Sequence, residues 1–208
     1  MRRLADAARK VVVLDHHKTA RENLENLLEW GVIDGEFDMK RSGAIMAWKY
    51  FHPSKPVPEL LKYVQDRDLW LFDLPHSEEI NMAIKSYQKD FSVWESLITQ
   101  VSIQILINEG KALLRYFNRQ VDLLVDSSWV IDIGRYKVPC VNAPKEFASK
   151  AGHILAESAA FAVVFYEDED SVVYSLRSIE GGVDVSEIAK ANGGGGHKHA
   201  AGYRISKT

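Results

Sequence analysis

The stretch Val11–Val12–Val13–Leu14, followed at once by Asp15–His16–His17, constrains this chain more than any other. Four apolar residues, three of them β-branched, predict a short strand buried on both faces. One carboxylate and two imidazoles then stand at its C-terminal end. In the next residues Thr19 and Glu22 have capping-box spacing, and Leu24, Leu27 and Leu28 fall on one helical face. A strand, a polar turn and a capped helix make half of a βαβ unit, and open α/β sheets bind ligands at that end of the strand. On local pattern alone the histidines also fit turn residues near a surface. Neighbours in an extended turn point in different directions, so one ring is expected to face a metal and the other a substrate beside it.

Composition narrows the partners. The 208 residues, 46% of them hydrophobic, suffice for one large domain or two small ones with a real core. Lys plus Arg number 26 against 29 for Asp plus Glu, a formal charge of -3, which excludes a basic nucleic-acid coat and leaves any phosphate to be held locally. The single Cys140 excludes an internal disulfide and a multi-cysteine metal site. No apolar run reaches the roughly 18 residues of a membrane span, and the first residues lack a signal-peptide core. The expectation is a cytoplasmic protein without membrane partners.

Taken in order, residues 1–10 read as the tail of a helix. Trp30 to Gly35 reads as helix end and turn, followed by a charged connector to Arg41. Ser42 caps a second helix, with Ile45, Trp48 and Tyr50–Phe51 as apolar surface, until Pro53 stops it. Pro56 to Glu59 opens a third helix, with Leu60, Leu61 and Val64 inward, which delivers Asp66–Arg67–Asp68–Leu69–Trp70. Carboxylates at i and i+2 do not share a helical face, so if one points into a site the other points elsewhere. Both also read as solvated helix-end acids; a histidine with a distant aspartate is a common metal-ligand set. Ile80 to Ile84 fits a short helix or a strand. Residues 93–125 read as mostly helical, interrupted near Asn108–Gly110, with Leu106, Leu113, Leu114, Phe117, Val121 and Leu124 as a packing stripe.

Composition then changes. Residues 129–133 and 136–141 alternate like strands around Gly134–Arg135, Pro144 begins a helix to about Glu157, and residues 162–166 and 172–176 form a hairpin across an acidic turn. The lobes divide near residues 120–128, within a long helix. Beyond the hairpin stand Arg177 and Ser178. Asp184 and Glu187 then predict a short helix over 185–191, ended by Asn192 and the run Gly193–Gly194–Gly195–Gly196–His197. Bare glycine backbone can present N–H donors to an anion, with His197 adding a donor and Arg177 a bidentate clamp. A flexible loop without a ligand is the alternative.

Val-Leu-Asp-His-His at 13–17 resembles the signature of the DHH phosphoesterases. Arg-Ser at 177–178 and Gly-Gly-Gly-Gly-His-Lys-His-Ala-Ala-Gly at 193–202 are similar to their C-terminal DHHA1 domain. The segment Asp66 to Trp70 resembles the acidic motif of a poorly characterised branch of this RecJ-like and oligoribonuclease-like superfamily. The resemblance implies an α/β fold: a truncated DHH domain with parallel sheet and helices over 1–124, ending in a long connecting helix, then an α+β DHHA1 domain with a mixed sheet over 125–208. It implies hydrolysis of phosphodiesters or phosphoanhydrides at a two-metal centre, Mn²⁺ or Mg²⁺, in the cleft between lobes. Carried over residue by residue, it makes His16 and Asp66 metal ligands, Asp68 the reserve ligand, His17 the group facing the scissile phosphate, and Asp15 the carboxylate that orients an imidazole. Arg177, His197 and the amides of Gly194, Gly195 and Gly196 would hold a phosphate. The family's first two acidic motifs lie upstream of Asp-His-His, whereas fourteen residues precede Asp15 here and Asp6 is their sole acid.

A metal pair about 3.5–4 Å apart needs shared carboxylates, so the expectation is weak or absent metal and impaired catalysis by this chain. The leading function is a metal-dependent phosphoesterase acting on a nucleotide or short single-stranded oligonucleotide. The alternative is a non-catalytic phosphate- or nucleotide-binding module that keeps the glycine loop; a module related to alanine-tRNA editing is weaker because Asp-His-His is present. An open apolar strand edge adds the expectation of a homodimer.

Overall fold

The computed structural model describes residues 2–207 and divides into two compact units, 1–117 and 118–208. The division falls inside the helix α7, Ile103–Asp126.

In the first unit α1, Arg2–Ala7, leads into β1, Val12–Asp15, and α2, Lys18–Glu29. β1 is half-buried along its length rather than closed on both faces, because among the described residues it has one partner. That partner is β2, Asp34–Phe37, which runs parallel to β1 with Val12 opposite Asp34 and Asp15 opposite Phe37. The stretch read as a turn and charged connector therefore contains a strand. Its outward residues are polar and exposed, so neither alternation nor hydrophobicity marks it. Thr19 is not the cap of α2 either. Helix α2 starts at Lys18, which places Thr19 inside its first turn, and the cap is His17, without a side-chain capping bond.

Helix α3, Gly43–Phe51, begins as expected: Ser42 is fully buried and its hydroxyl accepts from the Ile45 amide at 3.3 Å. The Ser42 amide donates to Gln65 Oε1 at 3.0 Å, tying α3 to α4, Glu59–Asp68. Tyr50 and Phe51, expected as packing surface, are exposed. The ambiguous segment at Ile80 lies in α5, Ser77–Ser86. α4 and α5 pack with α6, Phe91–Thr99, and the start of α7 around Leu60, Tyr63, Ile80, Ala83, Leu97 and Leu106. The break in the helical run lies between Thr99 and Ile103, not near Asn108–Gly110. Gly110 instead lets two helices touch: a Cβ there would stand 1.9 Å from the Glu79 carbonyl oxygen.

The second unit is a six-stranded mixed sheet. Its strands are β3 Trp129–Ile133, β4 Tyr136–Asn142, β5 Ala162–Glu167, β6 Ser171–Arg177, β7 Gly195–His197 and β8 Ala200–Ser206, in the order β3-β4-β5-β6-β8-β7. Only β4 and β5 pair in parallel. Their connection is a 3-10 turn, Lys145–Phe147, and α8, Ala148–Ala156, the crossover that a parallel pair requires. Between β6 and β7 lies α9, Val185–Ala191, capped by Asp184, whose carboxylate accepts from the Ser186 amide at 3.0 Å. Val138, Cys140, Phe161, Val163, Leu176, Val185 and Tyr203 make the core. The architecture is α/β: a small parallel sheet with helices, then a mixed-sheet domain.

Candidate functional site

Asp15 ends β1 and His17 precedes α2, so the Asp-His-His turn is fixed between a strand and a helix. Asp15 Oδ1 accepts from the His16 amide at 2.7 Å, the His17 amide at 3.2 Å and the His17 ring Nδ1 at 2.7 Å. Burial pushes the Asp15 carboxyl up, but the hydrogen bonds from the His17 ring and both amides outweigh it and hold the carboxyl below its ordinary value. An ionised carboxylate only accepts, so His17 carries a proton on Nδ1 and turns Nε2 outward. Asp15 thus orients an imidazole.

His16 is buried, with its Nε2 3.3 Å from Asp68 Oδ2. The two imidazoles do not diverge as an extended turn would have them: their centroids are 4.6 Å apart, and one ring nitrogen of each lies within 4.8 Å of the other. Both rings can therefore address one ion. The paired imidazoles are a potential site for a divalent metal ion, with the Asp68 carboxylate against His16 on one side.

Asp66 and Asp68 point apart, as their spacing requires, but it is Asp68 that meets His16. Asp66 is 4% exposed, and its carboxylate accepts from the Asp73 amide at 3.0 Å and the Leu74 amide at 3.3 Å. It anchors the loop after α4, in which Trp70, Phe72 and His76 all hold positive φ.

In the second unit Arg177 closes β6. Its guanidinium donates to Ser175 Oγ at 2.9 Å, the Leu176 carbonyl at 2.8 Å and Ser149 Oγ at 3.0 Å. Its stem lies on α8 so closely that a Cβ at Gly152 would meet Arg177 Cγ at 2.8 Å. The glycine run is not an open cradle. Gly193 and Gly194 donate to the Lys190 and Ala189 carbonyls at 3.0 and 2.8 Å, closing α9, so the Gly194 amide expected to hold an anion is already used. Gly195 and Gly196 pair with Gly202 and Ala201 as part of edge strand β7. Close approach to β8 explains why side chains are excluded: a Cβ on Gly194 would stand 2.1 Å from the Gly202 oxygen, and one on Gly196, at φ 144°, 2.6 Å from the Ala200 oxygen. His197 ends β7, half-buried. Sequence reasoning gave no role to His199, whose Nδ1 lies 2.9 Å from Ser178 Oγ. Ser178 donates its own hydrogen to the Val183 carbonyl at 2.8 Å, so His199 is the donor in that pair.

Residues 141–208 match the DHHA1 domain family. The chain is a distant match to the DHHA1 and oligoribonuclease-like phosphoesterase superfamily. It is 34% identical over 206 residues to an uncharacterised protein of Acanthamoeba polyphaga mimivirus, covering 94% of this chain and 48% of that protein. It is 24% identical over 221 residues to the oligoribonuclease NrnB of Bacillus subtilis, covering 96% of this chain and 54% of that protein. The chain spans about half the length of these curated relatives. Among solved structures, a pGpG-specific phosphodiesterase, PggH from Vibrio cholerae, aligns with 96% of this chain and 94% of its own at 13% identity and a TM-score of 0.42. No helix among the described residues is long and apolar enough to cross a membrane.

Proposed function

We propose that this chain acts in metal-dependent hydrolysis of phosphodiester bonds, on short oligonucleotides or small nucleotides. The observation that carries the reading is the pairing at the end of β1: Asp15 holds the His17 ring at 2.7 Å while His16 faces Asp68 at 3.3 Å. In this reading His16 and Asp68 hold a divalent ion, Mn²⁺ before Mg²⁺, with His17 beside them. The bound ion supplies Lewis-acid polarisation of a phosphoryl oxygen and an acidified water. His17, with its Nδ1 proton fixed on Asp15, presents Nε2 to the reacting phosphate and can hold a proton there for a phosphoryl or leaving oxygen. Asp66 serves the same site by holding the loop behind Asp68. In the second unit Arg177, its guanidinium oriented by Ser149 and Ser175, is the candidate clamp for a phosphate, with His197 at the end of β7 as a further donor. The name of the oligoribonuclease NrnB agrees with nucleotide substrates.

The test is Mn²⁺-dependent release of mononucleotide from a 5′-phosphorylated dinucleotide. His17→Ala and Asp68→Ala are expected to lower turnover by about 10²-fold or more while leaving the fold intact. A folded chain that binds the dinucleotide through Arg177 but releases no product with either metal would replace this reading by that of a phosphate-binding module.

A further inference from the structure

Arg67 has no role in the site above, yet it stands between the two aspartates of α4. It is half-buried, and among the described residues its guanidinium makes no hydrogen bond or ion pair. Burial lowers its pKa, and Asp68 opposes that only through its field. A guanidinium that has given up water without gaining an acceptor is poised for a ligand that brings one.

Arg67 lines a cleft of about 210 Å³ in the first unit, bounded by α4, α5 and the start of α6. Lys85 and Lys89 share that lining, with Asp68 as its single acid. Cations therefore outnumber carboxylates in the lining of a chain of net -3, with Arg67 and the exposed Lys89 nearest to hand and Lys85 Nζ over the Phe117 ring at 5.5 Å. That balance matches a phosphomonoester, which carries about −1.5 to −2 at neutral pH, better than a singly charged diester. The remaining walls suit a planar body. Trp94 and Tyr87 line the cleft, and the Tyr87 hydroxyl donates to Glu109 at 2.8 Å, which fixes its ring. Asn81 is buried at the same cleft, and its amide nitrogen donates to the Tyr63 and Ser77 carbonyls, both at 2.9 Å. Its Oδ1 remains as an acceptor for a ligand N–H or hydroxyl. The volume is below the roughly 300–1,000 Å³ of sites that enclose whole drug-sized ligands, so it admits a phosphate and one ring but not two nucleotides.

We infer that this cleft binds a phosphomonoester group borne by a single aromatic base, the 5′-phosphorylated end of a nucleotide, with Arg67 as the central clamp. Asp68 both lines the cleft and faces His16, so an occupant lies directly beside the His16–Asp68 pair. Naming the occupant as the end of a substrate rests on the phosphoesterase reading; binding of the anion does not.

The experiment uses the full chain in EDTA, in an Arg177→Ala background that removes the other phosphate grip. It is titrated with a 5′-mononucleotide, the matching nucleoside and inorganic phosphate. Affinity is read by calorimetry, and the Arg67 Nε–H and Trp94 indole N–H resonances by NMR. The mononucleotide should move both resonances, phosphate the Arg67 signal alone, and the nucleoside should bind about tenfold more weakly or worse. Arg67→Met should weaken mononucleotide binding by about tenfold, and the exposed Lys89→Met by about threefold. An unmoved Arg67 resonance at millimolar mononucleotide overturns the inference, as does wild-type affinity in the variants. If Arg67→Met does not fold, Lys89→Met decides alone, and unchanged affinity there is refutation. With EDTA present, the result is independent of whether His16 and Asp68 hold metal.

Discussion

Replacing Asp66 separates an anchor from a ligand. Its buried carboxylate accepts two backbone amides, Asp73 at 3.0 Å and Leu74 at 3.3 Å, while its own carbonyl accepts from the Leu71 amide at 2.8 Å. These bonds hold a loop in which Trp70, Phe72 and His76 have φ of 59°, 54° and 60°. Non-glycine residues in that region cost roughly 1–3 kcal/mol each, so the loop keeps its shape only while something fixes it. A hydrogen bond to a charged group is worth about 1.5–3 kcal/mol, and the second bond here is long, so Asp66→Ala should destabilise the chain by about 3–4 kcal/mol. Asp66→Asn keeps one acceptor oxygen but turns an NH2 toward the other amide, and should lose about half as much. Asp68→Ala removes a partly exposed partner and should cost less than about 1 kcal/mol. Urea unfolding at pH 7 measures all three, and Mn²⁺ titration of the folded variants completes the comparison. Asp66→Asn should keep metal binding and Asp68→Ala should lose it. If Asp66→Ala is as stable as the parent yet binds no Mn²⁺, Asp66 is a ligand and the anchoring argument fails.

Two further outcomes follow from packing. Gly196→Ala forces a Cβ to within 2.6 Å of the Ala200 oxygen at a φ of 144°, so it should detach β7 from β8 at a cost of about 2–5 kcal/mol. Hydrogen exchange should then show loss of protection confined to the 195–202 edge, and unchanged protection there would contradict the close-approach explanation. Burial pushes the Cys140 thiol up from 9.0 to about 11. The unfolded chain releases this proton first, so stability should fall as pH rises from 9 to 11, by about 2–3 kcal/mol, and Cys140→Ala should remove that part of the alkaline slope. At neutral pH the thiol should resist alkylation until the chain unfolds.

Particular residues show where sequence carries information and where it does not. The hairpin β5–β6 was readable because alternating Val, Phe and Tyr flank an acidic turn, and Ser42 and Asp184 cap their helices as their positions indicate. Strand β2 was not readable: Asp34–Gly35–Glu36–Phe37 has no hydrophobic period, and only its neighbour β1 makes it a strand. The i, i+2 spacing of Asp66 and Asp68 tells that they oppose each other. Which one meets His16 depends on the path of the loop to Leu74, which propensity does not encode. The glycine run was legible as a place needing bare backbone, but the need for it at Gly194 and Gly196 is met by strand β8 within 3 Å.

The central claim is that His16 and Asp68 hold one divalent ion at the end of β1, with His17 beside it. Selective broadening of histidine ring resonances by substoichiometric Mn²⁺ tests it most directly, with His52, His76 and His153 as internal references. The account predicts that His16 and His17 broaden first and together, that the three reference rings stay sharp, and that Asp68→Ala abolishes the effect. Broadening that spares His16, or that persists unchanged in Asp68→Ala, would contradict it.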